Sequence, residues 1–282
     1  MALPFPVMRG VRKIIAYLRQ YYAEQVGTRL AIAVLLFLGT AIWFNYTYNL
    51  ERGILGAQRV NAGFFWWNMI YYASPYLYGC LLVGMVGRQF AFFRSWHFWV
   101  VLFIFTFSLS FDNTYNLYHL VDAVPETTYY LRKLASKVSR IGLYLIPIGI
   151  YYLLALRAKG SFYGLTTKGF DKGPYLVMML IMTPLLVWAS FQTGFLRAYP
   201  TYKLGAAETY WDINPLLTYI PHEILYALTF LALEVLMRGF LIFEMEKHLG
   251  ERVVIPMVCV YCTLHFGKPC MECVSSIFGG FI

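Results

Sequence analysis

The chain has 282 residues, of which 60% are hydrophobic, 19% aromatic and only 13% charged, with a mean hydropathy of +0.57. Soluble globular proteins carry about 25% charged residues, so the composition excludes an ordinary soluble domain and points to a polytopic helical membrane protein. The net charge of +9 is spread over short loops and one N-terminal segment, which fits a lipid bilayer with anionic headgroups and argues against a nucleic-acid partner.

Residues 1–28 are not a signal peptide. A cleavable signal joins a short basic region to an apolar run of about 7 to 15 residues. Here "MRGVRKIIAYLRQYYAEQ" interleaves Arg9, Arg12, Lys13 and Arg19 with Val11, Ile14, Ile15, Tyr17 and Leu18. That pattern predicts a basic amphipathic helix lying on a membrane surface. Residues 29–282 read as a single transmembrane domain. Spans need about 20 mostly apolar residues, and they are read at 30–48, 64–87, 96–111, 140–156, 174–194, 222–243 and 252–267. The predicted fold is an all-α transmembrane bundle of about seven spans plus a partial C-terminal helix.

Two boundary segments are unusual. "SFDNTYNLYHL", 110–120, brings Asp112, Asn116 and His119 to one helical face, either as a loop cap or as a rim that touches substrate. "YYLRKLASKVSR", 129–140, reads as an amphipathic helix on the outer leaflet. With the N-terminus in the cytoplasm, inside segments hold thirteen Lys and Arg and outside segments nine, and this bias sets the expected orientation. The inner count includes Arg157, Lys159 and Lys168. The apolar stretch Cys273–Ile282 is ten residues, about 15 Å of helix and half the hydrocarbon core. The segment is therefore either re-entrant or the sequence lacks its last part, and the second reading is favoured.

Charge sits inside one predicted span. In "TFLALEVLMRGFLIF", 229–243, Glu234 and Arg238 are four residues apart and share a helical face. Intramembrane charges cost several kcal/mol by some scales and usually face a cavity or a functional site. Arginine grips a carboxylate through two parallel hydrogen bonds, so Arg238 is placed to hold and orient Glu234. Glu223 lies eleven residues earlier on the same face, next to His222, and also suits the free N–H groups of a helix start. One hairpin later, "VYCTLHFGKPCME" carries His265, seven residues before Glu272. A carboxylate and an imidazole together suit water activation.

"EVLMRGFL" followed by "YCTLHFGKP" resembles the CPBP family, the CAAX-prenyl-protease and bacteriocin-processing group of membrane proteins. The resemblance covers 222–282. That family shows Glu-Glu-x-x-x-Arg on one helix, Phe-x-x-x-His on the next, and a third motif with His or Asn. The resemblance implies a metal-independent intramembrane endopeptidase that acts on a membrane-bound or prenylated peptide. Glu234 would deprotonate water, His265 would position that water or polarise the scissile carbonyl, and Arg238 would orient Glu234. Glu223, Glu272 and His222 are supporting candidates. Two departures matter: Leu233 stands where the first glutamate is usual, and the third motif is absent. Tyr261 replaces the phenylalanine. A non-catalytic immunity or assembly factor is therefore the alternative, and a proton-coupled small-solute transporter a third. The expected location is a bacterial inner membrane with a cytoplasmic N-terminus.

Other motifs weigh less. Cys259, Cys262, Cys270 and Cys273 spell two Cys-x-x-Cys pairs with seven residues between, short for a zinc knuckle. They read as small buried hydrophobes. No phosphate loop, Gly-x-Ser-x-Gly or His-Glu-x-x-His is present. No cofactor and no metal are expected.

Overall fold

A computed structural model describes residues 5–155, 161–166 and 171–281. The first four residues of the basic segment lie outside these, as do Arg157, Lys159 and Lys168 of the orientation count and Ile282. Among the described residues every regular element is helical. Six helical runs are long and apolar enough to cross a bilayer, so the chain is an integral membrane protein built as a helical bundle.

The N-terminal helix α1 (Phe5–Tyr21) gives way to a π turn, and α2 (Gly27–Tyr48) follows as the first long apolar helix. Then come α3 (Phe64–Gly87), α4 (Trp96–Tyr115), α5 (Pro125–Ala155) and α6 (Lys172–Ala189). Helix α6 packs against α1, with Lys13 Nζ 2.6 Å from Asp171 Oδ2. Two short helices, α7 (Thr193–Ala198) and α8 (Ala206–Trp211), lead into α9 (Leu216–Glu234). A π turn, Val235–Leu241, joins α9 to α10 (Ile242–Leu249), and α11 (Val254–Thr263) and α12 (Cys270–Phe281) complete the bundle.

The stretches read as the sixth and seventh spans fall in a single run, Leu216–Thr263. It is broken at Gly250, whose φ of 60° suits only a residue without a Cβ. Beyond that break α11 has ten residues, about 15 Å. It is a buried half-span at the centre of the bundle, and Ile255, Val258, Cys259, Val260 and Cys262 are fully buried.

Helix α5 differs from its expected form. Residues 129–140 are not a separate helix on the outer leaflet; they are continuous with 141–155 in one helix of 31 residues. The reason is neutralisation of Arg140. Its Nε lies 2.7 Å from Oδ2 of Asp112 on α4, and Asp112 also accepts from Asn116 Nδ2 at 2.7 Å and Tyr144 OH at 3.2 Å. The charge at the inner end of the segment is thus paired against a neighbouring helix, and the helix continues past it. His119 does not share this cluster. Helix α4 ends at Tyr115, and His119 sits in the following 3-10 turn, its ring 3.7 Å from that of Tyr118.

Helix α3 approaches α11 most closely at Gly79, where a Cβ would lie 2.5 Å from Pro256 Cα. Overpacking of this kind costs about 1–3 kcal/mol. The Gly79→Ala protein is expected to unfold at a lower temperature in detergent, and an unchanged midpoint would refute this contact.

The connection before α9 is anchored by a buried carboxylate. Glu208 accepts hydrogen bonds from the hydroxyls of Tyr202 and Thr218 and from Gly205 N–H at 2.8 Å. Burial alone would raise its pKa, but the bonds from Thr218, Tyr202 and Gly205 outweigh burial and lower it to about 2. An unfolded glutamate titrates near 4.3. The stabilisation is therefore present above about pH 4.3 and is lost as pH falls toward 2. Unfolding midpoints measured across that window should fall less steeply with acid in Glu208→Gln, and an acid limb equal to that of the unaltered protein would rule Glu208 out as its source.

Candidate intramembrane site

Glu234 is the last residue of α9, and Arg238 lies in the π turn that follows. Wide turns of this kind recur at functional sites. Arg238 Nε is 2.6 Å from Glu234 Oε2, as an ion pair whose N–H is not aligned for a hydrogen bond. Its Nη2 instead donates to the carbonyl of Gly279 on α12 at 2.5 Å. The two side chains keep 38% and 32% of their surface exposed, so the pair is reachable.

Tyr261 of α11 completes the arrangement. Its hydroxyl donates to Glu234 Oε1 at 3.3 Å, and the Arg238 guanidinium lies 5.8 Å from its ring centroid. One turn later, His265 Nδ1 is 2.9 Å from the Tyr261 carbonyl, and the two rings are 5.0 Å apart. A carbonyl only accepts, so Nδ1 carries the hydrogen, and in the neutral form of the ring Nε2 holds a lone pair. Tyr261 thus bridges the site, with its hydroxyl on the carboxylate and its carbonyl on the imidazole. In the sequence it stood out only as a mild replacement for phenylalanine. Its position four residues before His265 was the available signal.

The supporting candidates divide. Glu272 lies beside the site: Tyr199 OH donates to its Oε1 at 3.2 Å and Lys268 Nζ is 3.9 Å away. His222 and Glu223 form their own pair, Nδ1 to Oε1 at 3.1 Å, about three turns and 16 Å back along α9. Leu233 packs against the hydrophobic core.

One ionic cluster escaped the sequence. His97 of α4 places Nε2 2.9 Å from Glu244 Oε2 and Nδ1 2.9 Å from His248 Nε2, with Lys247 Nζ 3.6 Å from the same carboxylate oxygen. Glu244 and His248 are four apart on α10, but His97 is 147 residues from Glu244, and no spacing rule links them. The two nitrogens of His97 point in opposite directions, so these groups form a chain instead of converging as metal ligands do. Among the described residues no group of three or more His, Cys, Asp or Glu is placed to hold a metal.

All five cysteines are free. Cys262 and Cys273 are buried with their Sγ atoms 3.8 Å apart, while Cys270 is exposed. A membrane-permeant oxidant is expected to join Cys262 to Cys273 and lower the titratable thiols by two. Cys262→Ser should abolish that loss. If the unaltered protein keeps every thiol, α11 and α12 are not packed as described.

No family model, no curated protein and no solved structure matches this chain.

Proposed function

We propose that the chain is an intramembrane endopeptidase of the CPBP type, acting on a membrane-bound or prenylated peptide. The observation that supports this best is the bridge through Tyr261, which holds the Glu234 carboxylate and the His265 imidazole around one residue. Arg238, tied to Glu234 and to the α12 backbone, orients the carboxylate. Glu234 removes a proton from water, and the hydroxide adds to the scissile carbonyl. The same carboxyl then returns the proton to the leaving amine, so one water is consumed for each bond broken. In its neutral form His265 presents a lone pair at Nε2, which favours positioning the water over polarising the carbonyl. Arg238 is a positioning residue. The protein sits in a bacterial inner membrane with its N-terminus in the cytoplasm.

A second reading has its own support. Leu233 occupies the place of the first motif glutamate, and both oxygens of Glu234 already have partners. A non-catalytic relative that binds a membrane peptide, as an immunity or assembly factor, would keep this geometry and lack turnover.

The two readings separate in proteoliposomes supplied with a prenylated peptide in oxygen-18 water. Peptidase action places one heavy oxygen in the new carboxylate. Glu234→Gln and His265→Ala are each expected to slow cleavage by about 10²–10⁴-fold, the usual range for acid–base groups. Peptide retention without heavy-oxygen incorporation, equal in the unaltered protein and in Glu234→Gln, would favour the non-catalytic reading.

A further inference from the structure

The basic stretch 129–140 plays no part in the peptidase reading, and its charges have different fates. Arg140 is neutralised by Asp112. Lys137 Nζ lies over the Tyr226 ring, 4.5 Å from its centroid. Arg132 and Lys133 remain without a carboxylate: among the described residues neither is within ion-pair distance of one, although Lys133 Nζ lies 5.5 Å from the centroid of the Tyr129 ring. Both line a cavity of about 480 Å³ together with Tyr118, Thr128, Tyr129 and Ser136. The acidic residues nearest in sequence, Asp122 and Glu126, do not line it. Arg132 spends its Nε on the Val121 carbonyl at 3.2 Å. That bond anchors the side chain and leaves its terminal nitrogens available.

The position of the cavity narrows the ligand. At about 1.5 Å per residue, the 31 residues of α5 reach well beyond a hydrocarbon core of about 30 Å. The apolar half of α5 begins near Ile141, so the cavity on residues 125–136 falls at headgroup level. Tyr118 and Tyr129 suit that depth, where aromatic rings concentrate. Leu117, Leu120 and Val124, close in sequence to the lining residues Tyr118 and Pro125, are all exposed, Leu120 at 77%. Two cations and several hydroxyls inside, with exposed aliphatic groups outside, match an anionic phosphate that carries a hydrocarbon tail.

We propose that this cavity is a phosphate-binding site at the membrane interface, with Arg132 and Lys133 as its charged ligands and Ser136 and the two tyrosines as neutral partners. Guanidinium groups pair with phosphate through two parallel hydrogen bonds, and an ammonium supplies a point charge beside it. The site is separate from Glu234 and needs no turnover.

The test uses the full chain in detergent, with phosphatidylglycerol or phosphatidylcholine added in equal amounts and retained lipid counted by native mass spectrometry. The unaltered protein is expected to retain several-fold more phosphatidylglycerol. Arg132→Gln with Lys133→Gln should remove that preference, while Arg132→Lys with Lys133→Arg should keep most of it. Ser136→Phe, which fills the cavity without changing charge, guards against misfolding of the double variant and should weaken retention about as much. A parallel titration with inorganic phosphate identifies the source. If phosphate binds and displaces nothing lipidic, and the double glutamine variant loses it, the same site serves a free anion. Equal retention of both lipids by the unaltered protein, together with no binding of phosphate, would overturn the proposal. So would a phosphatidylglycerol preference that survives in both the double glutamine variant and Ser136→Phe.

Discussion

The turn that follows α11 is the constraint on which the rest of the structure depends. A half-span ends inside the bundle, where the turn's own N–H groups satisfy the carbonyls of Val260, Cys262, Thr263 and His265, and the carbonyls further along the turn need donors from elsewhere. In hydrocarbon each such group costs several kcal/mol, so irregular backbone at depth is tolerated only where protein or a water-lined cavity surrounds it. Here protein does so. Asn45 Nδ2 of α2 donates to the Phe266 carbonyl at 3.1 Å, Tyr46 OH to Lys268 O at 2.7 Å, and Arg52 to Gly267 O. Tyr71 OH of α3 reaches Thr263 O at 3.4 Å. These four donors come from three elements, α2, the π turn Leu50–Leu55 after it and α3, which precede the turn by about two hundred residues of chain. They allow α11 to stop early, and the early stop is what leaves His265 beside Glu234 instead of inside a continuing apolar helix. The close approach at Gly79 and Pro256 belongs to the same arrangement, because α3 must lie against α11 for Tyr71 to reach its end.

How much of this was legible in the sequence follows from distance along the chain. Helical identity and membrane embedding are carried by local composition, and each apolar stretch announces itself without reference to any other. Glu234 and Arg238 are also local, four residues apart, and His265 follows within one hairpin. What could not be read is set by partners far away. Arg140 looked like a surface charge because Asp112, 28 residues earlier, is invisible to any helical periodicity. The membership of His97 in a cluster with Glu244 is hidden for the same reason. The half-length of α11 was obscured because the 252–267 stretch is apolar nearly throughout, from Val253 to Cys262 without a break. An apolar run records burial and says nothing of where the helix ends, which here is fixed by donors on α2, the π turn after it and α3. The π turn at Val235–Leu241 likewise leaves no compositional mark.

Among the described residues the ion pairs differ in how deeply their carboxylates are buried. Asp112 and Glu244 each keep about 5% of their surface, and each is wrapped by partners from other helices. Removing one partner from such a pair is costly because a bare charge is left in a medium that cannot solvate it. Their surroundings leave no place for a water or a substrate. Glu234 is different. It holds Arg238 and Tyr261, yet it and the arginine keep about a third of their surface open. A carboxylate meant only to balance an arginine gains nothing from that opening, since water and salt weaken the pair. In the proposed peptidase, a carboxylate that takes a proton from water would use that opening. Burial therefore separates Glu234 from Asp112 and Glu244, as it does Glu223 and Glu272, which keep 35% and 30% of their surface. It also explains why Arg238 reaches past Glu234 to the α12 backbone: an exposed pair that must hold a fixed geometry needs an anchor outside itself.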